Sequence, residues 1–174
     1  MRGSQSYCFP DHIPASCRRV ESLARYEKAY PELFVQGAPQ IHISNHWASV
    51  DLALVYQKRG DGEGARILLD GVARHIRTIP RLGVLGYGIE DVEIHALRGR
   101  KAQALVALRQ AEQAGWRGPL WRYNRDFDPN LDSIRNEAEF KAVFADIERD
   151  MARQRAALAA RPKDAALKLK ATGT

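Results

Sequence analysis

The stretch RLGVLGYGIEDVEIH, residues 81–95, places Gly83, Gly86 and Gly88 ahead of Glu90, Asp91, Glu93 and His95. Glycines so close together can cradle a phosphate, and acids with a histidine can hold a metal or move a proton. The glycine order here is G-x-x-G-x-G, whereas the dinucleotide fingerprint is G-x-G-x-x-G after a strand. No P-loop lysine and serine follow, and the preceding segment reads as helix. Asp91 and His95 share a helical face, as do Glu90 and Glu93, but two ligands hold a metal only when others converge from elsewhere. The stretch therefore reads as a joint between packing units, with its carboxylates divided between solvent and a groove.

Two further constellations invite a metal reading. Cys8, Cys17, His42 and His46 are four zinc-type ligands, at a spacing that matches no common finger. Asp126, Asp128, Asn130, Asp132 and Glu137 fall at calcium-loop spacing. Leu131, however, stands where that loop needs glycine, and Pro129 stiffens a position that must bend. Asp128-Pro129-Asn130 reads instead as a turn, with acids near the start of the last helix, where the dipole favours them. Ser44, Ser49 and Ser133 form no nucleophile elbow. The expectation is a protein without catalytic residues, metal or cofactor.

These residues must be positioned by helices. The 174 residues suit one domain, and 45% hydrophobic with 28% charged residues is ordinary for a globular chain. The net charge of +6 permits acidic partners without demanding them. Two cysteines are too few for a disulfide framework, and no apolar run is long enough to span a membrane. The opening residues do not read as a signal peptide. A cytoplasmic location is expected. Residues 1–15 read as a disordered or non-native lead, 16–160 as the helical domain and 161–174 as a flexible basic tail.

Apolar residues recur at helical spacing throughout, and QIHIS is the one short strand candidate. Ser16 can cap the first helix, and Pro31 marks its end. Asn45 can cap NHWASVDLALVYQK, with Gly60 as its stop, and Asp61 can cap the helix that follows. Gly99 joins a second pair, which ends at Gly115. Trp116 and Trp121 are expected to pack this pair onto the last helix. That helix carries an apolar stripe of Phe140, Val143, Phe144, Ile147, Met151 and Leu158, with Asn136 and Glu139 as a capping box.

The two hairpins coincide at an offset of 39 residues: Gly60 with Gly99, Ala65 with Ala104, and Leu69 with Leu108. The glycine supplies a left-handed turn. The alanine lets two helix axes approach, and the leucine one turn later fills the interface.

The run LALVYQKRGDGEGARILL resembles a tetratricopeptide repeat, with Leu52, Ala53, Tyr56 and Gly60 at first-helix positions and Ala65 and Leu69 at second-helix positions. VEIHALRGRKAQALVALRQA is similar, with His95 where the family favours tyrosine and Val92 where it favours a small residue. The offset exceeds the family period of about 34 residues, and the surplus falls in residues 81–95. Tyr26 to Leu158 resembles the C-terminal repeat region of bacterial signalling proteins, where it follows a winged-helix DNA-binding or nucleotide cyclase domain. The matching stretches include YPELF, IPRLGVLGYGIEDVEIHALRG, AGWRG and PNLDSIRNEAEFKAVFADIERDM. The residues before 20 leave no room for such a domain, so the chain is expected to be a fragment or a stand-alone remnant.

The resemblance implies an all-α, antiparallel helix-hairpin superhelical solenoid with a long C-terminal capping helix. Its function would be protein–protein interaction in scaffolding, signalling or transcription regulation, with a peptide or helix held in the concave groove. Helical phasing puts Trp47, Val50, Leu54, Gln57 and Lys58 toward that groove from the first hairpin, and Ile89 and Glu93 from the second. No membrane contact is expected. The rival is a nucleic-acid-associated fragment that uses Arg149, Arg153, Arg155, Arg161, Lys163, Lys168 and Lys170.

Overall fold

The computed structural model describes residues 23–35, 38–79 and 88–161. All regular structure among them is helical. Helix α1 covers 23–29, and a 3-10 turn follows at Pro31–Phe34. Then come α2 (His46–Lys58), α3 (Gly62–Ile76), α4 (Ile89–Leu97), α5 (Lys101–Gln113) and the short α6 (Trp121–Asp126). A second 3-10 turn at Pro129–Leu131 leads into α7 (Ala138–Ala159). The readings at Cys8, Ser16, Cys17, Gly83, Gly86, the lead and the tail beyond Arg161 lie outside the described residues.

Three helix ends close in the same way. Gly60, Gly99 and Gly115 have φ of 84°, 69° and 90°. In each, the glycine N–H donates to the carbonyl three residues back. The next residue's N–H reaches five back, as in Asp61 to Tyr56, Arg100 to His95 and Trp116 to Ala111. This closure satisfies orphan carbonyls and needs the left-handed geometry that glycine adopts at least cost. Asp61 caps α3 as expected, its Oδ1 accepting from the Gly64 N–H at 2.8 Å.

The turns fold α2 onto α3 and α4 onto α5. α2 also touches α4, and α5 packs on α7. Ala65 and Ala104 are buried at matching places, as are Leu69 and Leu108. One apolar cluster joins Val50, Leu52, Leu68, Leu69 and Val72 to Leu33 and Ile94. A second joins Val92, Ala104 and Leu108 to Trp116, Trp121, Leu131, Phe140 and Phe144. Trp116 meets Phe144 edge-on, with ring centroids 6.3 Å apart, so the tryptophans do tie the second hairpin to α7.

Three local expectations are corrected. Asn45 sits at the α2 N-cap but sends its side chain backward. Its Nδ2 donates to Glu32 Oε1 at 2.8 Å and to the Gln40 carbonyl at 3.0 Å, and its Oδ1 accepts from the His42 N–H. It fastens the incoming chain rather than capping the helix. The N-cap of α7 is Glu137, without a side-chain cap bond, so Asn136 and Glu139 form no capping box. The apolar stripe of α7 ends at Met151, and Leu158 is exposed because α7 has outrun the hairpin it packs on.

Candidate functional site

An open cleft of about 330 Å³ lies where α2, the start of α4 and the segment from Trp116 to Asp128 meet. Trp47 and Asp51, one helical turn apart, project into it from α2. Ile89, Glu90 and Glu93 line it from α4. Trp116, Leu120, Tyr123 and Asp128 complete it from the opposite wall. Trp47 and Tyr123 are about half exposed and Leu120 more than half, large side chains at the rim that the described residues cover only in part. Tyr30 holds Trp47 in place by an edge-on contact at 5.9 Å.

The floor is acidic. Glu93 is 6% exposed and Asp128 3%. Asp128 is oriented from both sides: Oδ2 accepts from Asn124 Nδ2 at 2.8 Å and Oδ1 from the Asn130 N–H at 2.9 Å. Asn130 Nδ2 also donates to Asp51 Oδ1 at 2.7 Å, joining positions 79 residues apart, and the Tyr26 hydroxyl donates to Asp51 Oδ2 at 3.4 Å.

Glu93 and Asp128 line the same floor of the cleft. Burial, then the negative charges of Asp128, Glu90 and Asp51, push the Glu93 carboxyl well above its ordinary range. Burial likewise raises Asp51, and the amide of Asn130 opposes that rise. Among the described residues no lysine, arginine or histidine forms an ion pair with Asp51, Glu93 or Asp128. Asn130 Oδ1 is buried without a hydrogen-bond partner.

Glu90 is treated differently. Its carboxylate stands 3.6 Å from His46 Nε2. Burial works against its charge, but the histidine and its own backbone N–H hold its pKa below the usual value. The carboxylate raises His46 in return. Gly88 leaves room for this arrangement, since a Cβ there would stand 1.7 Å from Glu90 Oε2.

Chemically, the floor sets the Glu93 and Asp128 carboxyl groups side by side in the cleft, an arrangement that can receive a cation. Among the described residues, the cleft lining includes no serine, cysteine or lysine. The calcium-type acids disperse: Asp126 pairs with Arg125, Asp132 with Arg135, and Asp128 turns into the cleft. Among the described residues no three acid, histidine or cysteine side chains are grouped to hold a metal ion.

Of the groove residues expected from phasing, Trp47, Ile89 and Glu93 line the cleft. Val50 does not. It is fully buried between the helices of the first hairpin, because the cleft face of α2 runs through 47 and 51 rather than 47 and 50. Leu54, Gln57 and Lys58 lie further along α2, outside the cleft. The Gln57 amide is occupied by the Leu97 carbonyl at 2.8 Å, which ties the hairpins together. Asp51, Tyr123 and Asp128 were not singled out as groove residues from the sequence. An acid one turn after an exposed tryptophan was the signal available for Asp51, whereas Tyr123 and Asp128 come from a segment that reads only as turns. Comparison of the chain with protein-family models, curated proteins and solved structures gave no match.

Proposed function

We propose that this protein is a tetratricopeptide-like helical-hairpin module that binds a peptide or helical segment of another protein in the cleft between α2, α4 and α6. It would act by binding rather than turnover. The observation that carries this reading is the open cleft itself, with Trp47, Tyr123 and Leu120 exposed around an inward-facing polar floor. Aromatic side chains of this kind supply large contact area at low entropic cost and dominate interface energetics. The matched glycine, alanine and leucine of the two hairpins support the repeat assignment.

The reading can be tested by selecting displayed random peptides on the immobilised chain. Selected peptides are expected to lose at least tenfold in affinity on Trp47→Ala and on Tyr123→Ala. Unchanged affinity with both variants overturns the assignment.

The nucleic-acid alternative draws on the basic end of the chain. Within α7, Arg149 pairs with Asp146 and Arg153 with Asp150, which weakens the field there. Nucleic-acid binding would fall steeply with salt and with neutralisation of the basic positions.

A further inference from the structure

We propose that the cleft recognises a lysine or arginine side chain on the partner segment, whose cationic head reaches Glu93 and Asp128 while its stem lies along Trp47 and Tyr123. The inference rests on the peptide-binding reading and names the chemistry of its ligand.

Three observations lead to it. The first is an absence of compensation. Glu93 is a carboxyl more than nine-tenths buried, lines the cleft and, among the described residues, has acids rather than a basic group beside it. Buried carboxyls are ordinarily paired or fully hydrogen-bonded. In the same molecule Arg109 joins Glu139 and Asp146, Arg117 joins Glu112 and Asp150, and Arg98 joins Asp70. A chain carrying 27 lysines and arginines has ample means to neutralise its acids, yet among the described residues none of them pairs with these floor positions.

The second observation is shape. A cleft of about 330 Å³ is at the small end for ligand pockets, suited to one long side chain and its immediate neighbours rather than a large cofactor. The third is the lining. Trp47, Tyr123 and the buried Trp116 line the cleft together with the carboxyls, and Trp47 and Tyr123 are the more exposed. Aromatic faces attract cations, and the aliphatic stems of lysine and arginine lie on apolar surface while their heads reach polar groups. A lining of acids and aromatics is complementary to those two side chains in both charge and polarity.

The test uses peptides selected as above and the full chain. Each peptide that competes at the cleft is expected to contain a lysine or arginine. Replacing that lysine by norleucine, or that arginine by citrulline, should lower affinity at least tenfold. The near-isosteric Glu93→Gln variant should lower the affinity of the cationic peptide by a similar factor and leave the neutral analogue unchanged.

The peptide-side exchange needs no altered protein, so it decides the matter even if Glu93→Gln disturbs the floor. If the neutral analogues bind as tightly as their parents while Trp47→Ala and Tyr123→Ala still remove binding, the cation proposal falls and the groove stands. If both of those variants leave binding unchanged, both proposals fall. If a chain ending at Arg161 binds the selected peptides at least tenfold more tightly than the full chain, the occupant is the protein's own basic tail, and the partner proposal is overturned.

Discussion

The acids of the cleft floor and those between α5 and α7 are the same residue types under opposite treatment. On α7, Asp146 accepts from Arg109 and Asp150 from Arg117, and hydrogen bonds to the guanidinium groups hold both carboxyls below their ordinary range. In the cleft, Glu93 and Asp51 face other acids and amides, and burial pushes both upward. The first set fastens one helix to another. The second holds buried charge without a basic partner among the described residues, which is what the proposed cationic ligand would supply.

The largest effect expected is at the residue that joins the two cleft walls. Asn130→Ala removes the amide on Asp51 and should destabilise the protein by about 2–3 kcal/mol in denaturant unfolding. A loss below about 0.5 kcal/mol would mean that the amide contributes little to holding the wall.

Glu93→Gln should stabilise by about 1–3 kcal/mol at pH 8, because it replaces an uncompensated buried acid by a neutral isostere. The sign follows from linkage. The folded carboxyl titrates above the unfolded value of about 4.3, so over that interval the unfolded chain binds fewer protons. Stability therefore falls as pH rises through the interval, and the advantage of the variant should vanish below about pH 4. Among the described residues the titratable groups that act on Glu93 are Asp128, Glu90, Asp51 and Tyr123. Thermal melts that show no gain at pH 8 would break the contrast.

Arg109→Ala should lower Tm by about 2–4 °C, less at high salt. Here the sign is reversed. The depressed Asp146 contributes stability above its unfolded pKa, and that contribution is lost as pH falls through the lower folded value. The variant and the parent should therefore converge in acid.

The smallest effect is spectroscopic. His46 should titrate above the usual imidazole value and return toward it in Glu90→Gln, whereas His75, held down by burial, should titrate below it. NMR titration of the ring protons checks both, and an unmoved His46 in Glu90→Gln would sever its link to that carboxylate.

Much of the architecture is legible locally. Gly60, Gly99 and Gly115 mark the helix ends because each closure needs one left-handed residue at a fixed place. Ala65 and Ala104 mark the crossings because a larger side chain would force the helices apart. Capping was less legible. Asn45 has the right residue type and position, but its side chain found Glu32 and Gln40, which come near only once the chain before α2 has folded back. On α2 the residue that lines the cleft is Asp51, whereas Val50, which phasing turns the same way, is buried. Both lie close to the same face, and only the packing of α3 decides which one is covered.

The sequence alone determined the longer helices, the glycine turns between them and the repeated hairpin pattern, since these depend on residues within a few positions of one another, whereas the short α6 falls in a stretch that reads as turns. Tertiary structure decided how the cleft is closed: helical phasing reached Trp47, Ile89 and Glu93, but not the opposite wall. Residues 116–128 carry no periodic signal, yet their placement supplies a wall of the cleft and brings Asn130 to Asp51 across 79 positions. Whether an acid meets an arginine or another acid depends on such long-range approach, which composition and spacing do not encode.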